Sequence, residues 1–293
     1  MNIVLGDDGK LRWFWRAAIF YGLTFWGLPL IGDPLAGKAF AALGIGPGFN
    51  AGLIAFIETY YFLLALIPTA AFAWYEHRRI DSYGLDIGKA LRLPTFEGLL
   101  VGVAMAGAVA IGMYALGGMQ VRGWANTSAL AILAWVGANI LVGIGEEFWF
   151  RHYFLHSLWR SIGFWPGALV VAAAFAAIHY FNKPGENIWD VITLVAFSLL
   201  CSYGVLRAGT LWFAVGLHAA FDFMQLVVIG TPNGGQLPVG RLLNTTFNGP
   251  AWINGGSLGT EASWLMYPAF VLAFLYVTWR YRPAAPTNST PPS

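Results

Sequence analysis

Long apolar segments, separated by short polar breaks, follow one another along nearly the whole chain. A helix needs about 20 apolar residues to cross the hydrocarbon core of a bilayer, because each residue advances it by about 1.5 Å. Segments of this kind lie at residues 13–31, 50–74, 95–117, 128–159, 165–181, 189–206, 209–229 and 263–280. The pattern predicts an all-α, polytopic membrane protein of about eight transmembrane helices.

This pattern divides the chain into four regions. Residues 1–127 contain the first three predicted spans, and residues 128–229 contain spans four to seven. Residues 230–282 contain one long connection and the last span, and the connection must lie outside the bilayer or fold back against it. The final residues, 283–293, are rich in Pro, Ser and Thr and are expected to form a disordered tail.

The composition fits a membrane protein. Of the 293 residues, 58% are hydrophobic and 10% are charged, whereas soluble domains carry roughly 25% charged residues. The net charge of +2 is too small to indicate a nucleic-acid partner, so the lipid bilayer is the expected environment. The single cysteine, Cys201, lies within an apolar segment and excludes an intrachain disulfide bond.

Lysine and arginine residues are distributed unevenly between the two sets of connections, and this bias predicts the orientation. If the N-terminus is cytoplasmic, the inner set consists of Lys10, Arg12, Arg16, Arg78, Arg79, Lys89, Arg92, Arg160, Arg207, Arg280 and Arg282. The outer set then consists of Lys38, Arg122, Lys183 and Arg241. We therefore expect an integral protein of the cell membrane with both termini in the cytoplasm.

Span four contains the heptapeptide Gly-Glu-Glu-Phe-Trp-Phe-Arg at residues 145–151. Glu147 and Arg151 are four residues apart with the acid N-terminal, which favours an ion pair on one helix face. Glu146 lies about 100° further round the helix and is left to point elsewhere. An interfacial charge cluster at the end of a shorter span is the alternative, although apolar residues continue past this heptapeptide.

Two further spans carry polar groups. His179 in span five follows an alanine-rich stretch, and small residues allow neighbouring helices to approach closely. His218 and Asp222 in span seven share a helix face, so the carboxylate can orient the imidazole. A lone interfacial histidine and a structural polar pair are the respective alternatives. The polar groups of all three spans, however, lie at one level, roughly 16 to 22 Å from the cytoplasmic ends, which predicts a shared pocket.

Three motifs occur in a fixed order on successive predicted helices: Glu146-Glu147-xxx-Arg151, Phe175-xxx-His179 and His218-xxx-Asp222. This ordered set resembles the CPBP family, which comprises the type II CAAX prenyl endopeptidases and related bacterial intramembrane proteases of the Abi group. The resemblance covers roughly residues 128–229, and it implies a catalytic core in that region. The first three spans and the last are matched by hydropathy alone.

The resemblance also implies a role for each matching residue. Glu146 would be the general base, with His179 as its partner in activating a water molecule. Glu147 and Arg151 would form a supporting ion pair. The substrate would be a membrane-associated protein or peptide precursor, either a CAAX-type prenylated one or another kind.

The same resemblance implies that His218, with residue 222, stabilises the tetrahedral oxyanion. The best-studied relatives have asparagine where this chain has Asp222, and an ionised aspartate cannot donate a hydrogen bond to an oxyanion. Asp222 is therefore either protonated or serves to orient His218.

Glu146, His179 and His218 are also a known type of zinc ligand set, with three protein ligands and an open fourth position. Older descriptions of the family class its members as metalloproteases for that reason. The chain contains no HExxH motif, and the ligands would have to converge from three helices. We favour a glutamate mechanism that requires no cofactor, with Zn²⁺ as the alternative.

A non-proteolytic function is the alternative to an endopeptidase. A transporter or a bacteriocin self-immunity protein could use the same buried polar residues to bind its ligand. Against transport, the sequence shows no inverted repeat and no pair of interrupted apolar segments in corresponding halves.

Overall fold

The computed structural model describes residues 2–282, so the predicted tail at residues 283–293 lies outside the described residues. The α-helices are α1 (Trp13–Gly22), α2 (Pro29–Leu43), α3 (Ala51–Glu76), α4 (Leu93–Ala115), α5 (Ala129–Glu147), α6 (Tyr153–Ile162), α7 (Phe164–Asn182), α8 (Ile188–Ala208), α9 (Trp212–Asp222), α10 (Ala251–Asn254) and α11 (Met266–Arg280). Three of them continue as π-helical turns: α1 into Leu23–Gly27, α5 into Phe148–His152 and α9 into Phe223–Ile229. The strands are β1 (Met119–Trp124) and β2 (Leu243–Phe247), and short 3₁₀ turns lie at Ile80–Tyr83, Ile87–Lys89 and Gly256–Ala262.

Seven helical segments of the described chain are long and apolar enough to cross a membrane: α3, α4, α5 with α6, α7, α8, α9 with its π-helical turn, and the segment Gly256–Arg280 that includes α11. The first predicted span is bent, because the helix Trp13–Gly27 and α2 meet at an angle of 42°. Pro29 begins α2, and a proline lacks the N–H that a continuous helix would need there. Counting the bent pair as one span gives eight, and the predicted fold class is confirmed.

The spans alternate in direction, so their connections collect at two ends of the bundle. One end, called the basic end below, comprises residues 10–12, residues 77–92, Arg160, Arg207 and Arg280. Ion pairs join its helices: Arg16 Nη1 lies 3.1 Å from Glu76 Oε1, and Arg280 Nε lies 2.6 Å from Glu97 Oε1. Ion pairs therefore hold the helix termini together at the basic end.

The opposite end, called the loop end below, comprises residues 44–50, β1, β2, residues 183–187 and residues 230–262. The two strands pair antiparallel, with Met119 opposite Phe247. The long connection folds back onto the bundle, since Trp135 Nε1 donates a 2.7 Å hydrogen bond to the carbonyl oxygen of Val239. The sequence predicted this connection but not the small sheet: apolar and polar residues alternate over only four residues of β1, Met119 to Arg122, and β2 shows no such alternation.

Helices α4 and α9 cross at close range because glycines line their contact. A Cβ atom added at Gly102 would lie 2.3 Å from the carbonyl oxygen of Leu217. From the other side, a Cβ atom at Gly216 would lie 2.3 Å from the carbonyl oxygen of Thr95. Small residues at such crossings are typical of membrane helices, whose association relies on close van der Waals packing. The contact fixes the position of α9 against its neighbour.

We expect Gly102→Ala to destabilise the protein, because the new methyl group would push α9 away from α4. Overpacking of this kind costs about 1–3 kcal/mol. The measurement is the midpoint of thermal unfolding of the detergent-purified protein. Gly107→Ala is the matched control, since it lies in the same helix and a Cβ atom there would meet nothing within 4 Å. Equal midpoints for the two variants would contradict the close crossing.

Candidate functional site

Side chains from three helices meet within the bundle. Glu146 comes from α5, His179 from α7, and His218 and Asp222 from α9. Glu146 Oε2 lies 3.7 Å from His218 Nε2, and Glu146 Oε1 lies 4.0 Å from His179 Nε2. All four residues line one cavity of about 160 Å³. The structure thus brings together the residues that the three sequence motifs singled out.

Glu147 forms the buried centre of this arrangement. Its Oε1 atom accepts hydrogen bonds from Arg151 Nη1 at 2.9 Å and from His218 Nδ1 at 2.8 Å. The side chains of Glu147 and Arg151 have no exposed surface. Because α5 carries Glu147 and Arg151 while α9 carries His218, one carboxylate links two helices and fixes the imidazole ring.

The sequence predicted the pairing of Glu147 with Arg151 but not its hydrogen bond to His218. Spacing along α9 suggested instead that Asp222 orients the ring. In the structure Asp222 Oδ2 lies 3.8 Å from His218 Nε2, which exceeds a hydrogen-bond distance. The contact with Glu147 crosses between helices 71 residues apart in sequence, so no periodicity within one helix could reveal it.

A π-helical turn, Phe148–His152, follows Glu147 directly. Turns of this type inside α-helices are often found at functional sites. Here Arg151 lies within the turn and keeps its contact with Glu147. The continuous span Ala129–Ile162 therefore changes its winding at the point where it carries the site residues.

The second histidine is oriented by its own helix. His179 Nδ1 lies 2.8 Å from the carbonyl oxygen of Phe175, and because a carbonyl can only accept, Nδ1 carries the hydrogen. His218 Nδ1 likewise carries a hydrogen towards Glu147. In their neutral forms both imidazoles consequently present an unprotonated Nε2 atom towards Glu146. A water molecule placed there would have three acceptors around it.

A chain of polar contacts connects Asp222 to the loop end. Gln225 Nε2 donates to Asp222 Oδ1 at 3.0 Å and to Glu261 Oε1 at 2.8 Å. Glu261 also forms an ion pair with Lys183. Burial lowers the pKa of Lys183, but the carboxylates of Glu261, Asp190 and Glu186 outweigh it, so its pKa lies above the ordinary value. The cation is therefore held beside the cavity, which it also lines.

Sequence reasoning missed Gln225, Glu261 and Lys183. Glu261 lies in the long connection, which contains no motif, and Lys183 follows α7 in a short polar break. Their contact joins residues 78 positions apart in sequence. Only the folding back of residues 230–262 places them at the site.

Glu58 is a further residue that sequence reasoning missed. It lies in α3, is 6% exposed, and lines the same cavity as Glu146 and Asp222. Within the described part of the chain its Oε2 atom has no hydrogen-bond partner. A Cβ atom at Gly145 would lie 3.0 Å from the Glu58 carbonyl oxygen, so glycine permits this approach of α3 to α5. The signal for Glu58 in the sequence was its position as a single acidic residue within an apolar span, where a charge is costly.

The same side chains can be tested as a zinc site. Zinc ligands 2.0–2.2 Å from the metal in a tetrahedral arrangement lie roughly 3.3–3.6 Å from one another. Glu146 lies 3.7 Å from His218 and 4.0 Å from His179, measured between the facing atoms. Among residues 2–282 no three His, Cys, Asp or Glu side chains form a group that could hold a metal ion. The donor types suit zinc, and their separations here are somewhat wider than those of a tetrahedral zinc site.

Comparison with known proteins gives one finding for this region. Residues 128–224 match the family model described as type II CAAX prenyl endopeptidase Rce1-like. The matched segment begins at Ser128, the N-cap of α5, and ends just after α9, so it contains all six predicted site residues. No curated protein and no solved structure matches the chain.

The contacts predict that Glu147 and Glu146 differ in their contribution to stability. Glu147→Gln would break a buried ion pair, and breaking one typically costs about 3–5 kcal/mol. Glu146→Gln should have little effect, because its contacts with His179 and His218 are longer than hydrogen bonds. Thermal unfolding of the two purified variants measures the difference. Similar unfolding midpoints would contradict the central position of Glu147.

Proposed function

We propose that this integral membrane protein is an intramembrane endopeptidase, and the support is the match of residues 128–224 to the family model described as type II CAAX prenyl endopeptidase Rce1-like. Its substrate would be a membrane-associated protein or peptide precursor. The observation that carries the proposal is the convergence of Glu146 with the Nε2 atoms of two histidines from different helices. Peptide hydrolysis requires a general base, here the carboxylate of Glu146, that accepts a proton from a water molecule within reach of the scissile bond.

In this mechanism Glu146 is the general base. It accepts a proton from a water molecule that also donates a hydrogen bond to His179 Nε2. The resulting hydroxide attacks the carbonyl carbon of the substrate, so a C–O bond forms and the carbonyl oxygen becomes an oxyanion. Glu146 then passes its proton to the leaving amine as the C–N bond breaks.

His218 would stabilise the oxyanion. Because its Nδ1 hydrogen is directed to Glu147, it can donate from Nε2 only as an imidazolium ion. The carboxylate of Glu147 would balance part of that charge. A hydrogen-bond donor positioned at a developing oxyanion typically increases the reaction rate by about 10²–10³-fold. Asp222, whose carboxylate accepts a hydrogen bond from Gln225, would form another wall of the same pocket.

We also propose that both termini are cytoplasmic, with the basic end of the bundle at the cytoplasmic surface of the cell membrane. The support is the positive-inside bias, since Arg78, Arg79, Lys89 and Arg92 all lie in one connection at that end.

Glu146→Gln should abolish cleavage, since a general base contributes about 10²–10⁴-fold in rate and an amide cannot replace it. The assay compares tagged CAAX-type and other membrane-anchored precursors, coexpressed with wild-type or variant protein, by the appearance of a shorter product. Persistent cleavage by the Glu146→Gln variant would refute the assignment. Ligand flux without any product would favour the transport alternative.

His179→Asn should reduce cleavage strongly while leaving the protein folded, because it removes the Nε2 acceptor at the site. His77→Asn is the matched control. His77 lies at the C-terminus of α3, where its backbone has a φ of 57°, a conformation that asparagine tolerates well. Equal losses of activity in the two variants would show that the His179 effect is not specific to the site.

The metal alternative makes a separate prediction. If the glutamate mechanism holds, purified protein should cleave in the presence of a chelator and should contain far less than stoichiometric zinc by elemental analysis. Stoichiometric zinc that is lost in the His179→Asn variant, together with inactivation by chelation, would replace this mechanism by a metal-dependent one.

A further inference from the structure

The cavity around Glu146 extends towards the loop end of the bundle. Its lining includes residues from three separate connections at that end: Phe49, which precedes α3, Asn233, and the ion-paired Lys183 and Glu261. The connections at the basic end contribute nothing to the lining of this cavity. Access to Glu146 from water therefore lies on the side of β1, β2 and residues 230–262.

The side of the site that faces the basic end is closed by large buried side chains. Along the span that carries Glu147, Phe148 and Tyr153 come next towards the basic end, and they are 2% and 0% exposed. Phe213 occupies the corresponding part of α9 and is also 0% exposed. Close packing of this kind leaves no path for a peptide from the basic end to Glu146.

A second, wider cavity of about 380 Å³ adjoins the first and shares Glu146, His179 and Lys183 with it. Its walls are formed by α3, through Ile57 and Tyr61, and by α7, through Ile178 and Asn182. Apolar and aromatic walls suit the side chains of a membrane-embedded segment. Two polar residues of the loop end, Asn233 and Gln236, also line it and can hydrogen-bond a peptide backbone.

Charge distinguishes the two ends of the bundle. The basic end carries most of the lysine and arginine residues, including the cluster at residues 77–92. The loop end carries Arg122, Lys183 and Arg241, and Lys38 lies in the second half of α2, which leads to that end. The charge of Lys183 is balanced by its contacts with Glu261 and Glu186. By the positive-inside rule the basic end faces the cytoplasm, so the loop end faces the opposite side of the membrane.

We infer that the site opens to the non-cytoplasmic side of the membrane, and that its substrate is a segment of a membrane-anchored polypeptide exposed at that surface. The segment would enter between α3 and α7 and reach Glu146 from the loop end. The part of this inference that concerns the substrate rests on the proposed endopeptidase function. The part that concerns the side to which the site opens does not. It separates the two substrate kinds considered above, because a prenylated C-terminus in the cytoplasm would meet the closed basic end.

The orientation can be tested by cysteine labelling, for which the chain is well suited. Its single cysteine, Cys201, is buried and can be replaced by serine. In that background, Gln236→Cys places a thiol at the mouth of the wider cavity, and Ile87→Cys places one at the basic end, where Ile87 is 74% exposed. Neither substitution changes the charge that sets the orientation.

A membrane-impermeant maleimide applied to intact bacterial spheroplasts should label the Gln236→Cys variant. The Ile87→Cys variant should become labelled only after the membrane is permeabilised. The reverse pattern would overturn the inference. Adding Glu146→Gln to each variant should leave the labelling unchanged, so the result does not depend on whether the protein cleaves anything.

The substrate side requires a second measurement. New peptide termini are mapped by mass spectrometry in membranes of cells that express wild-type protein or the Glu146→Gln variant. Termini specific to the wild type should fall in non-cytoplasmic segments of membrane-anchored proteins. Termini confined to cytoplasmic segments would overturn the inference while supporting the endopeptidase function. An absence of new termini would instead count against the endopeptidase function, with the orientation decided by labelling.

Discussion

The arrangement of the site depends on one buried carboxylate, that of Glu147. It accepts hydrogen bonds from Arg151 on its own span and from His218 on α9. In a bilayer interior neither the guanidinium nor the carboxylate could remain charged without such a partner, because the loss of hydration costs several kcal/mol. The same contact determines which nitrogen of His218 faces Glu146. A single side chain thus both pairs with Arg151 and orients the imidazole of His218 towards Glu146.

The sequence predicted most of the fold and the centre of the site. Spans of about 20 apolar residues identify themselves by length, and the i, i+4 spacing of Glu147 with Arg151 correctly indicated an ion pair. Contacts between distant parts of the chain could not be predicted in this way. The bond from Glu147 to His218, the position of Glu58 and the ion pair of Lys183 with Glu261 all depend on how helices and loops pack.

The polar residues of the site extend from the buried interior of the bundle to the long connection at the loop end. Glu147 is fully buried, Glu146 and Asp222 border the cavity, and Gln225 passes the contact on to Glu261 in the long connection. Each step provides partners for groups that would otherwise be stranded in a low-dielectric environment. The loop end consequently supplies polar partners to the site as well as its opening, and Gln225 links residues 230–262 to Asp222.

The glycine crossing of α4 with α9 bears on how this protein can be dissected or transplanted. Residues 128–224 contain the recognised motifs, yet the wall that positions α9 belongs to α4, and Glu58 belongs to α3. Glu261 and Phe270 complete the cavity from the C-terminal side. The segment with the motifs is therefore not an autonomous module.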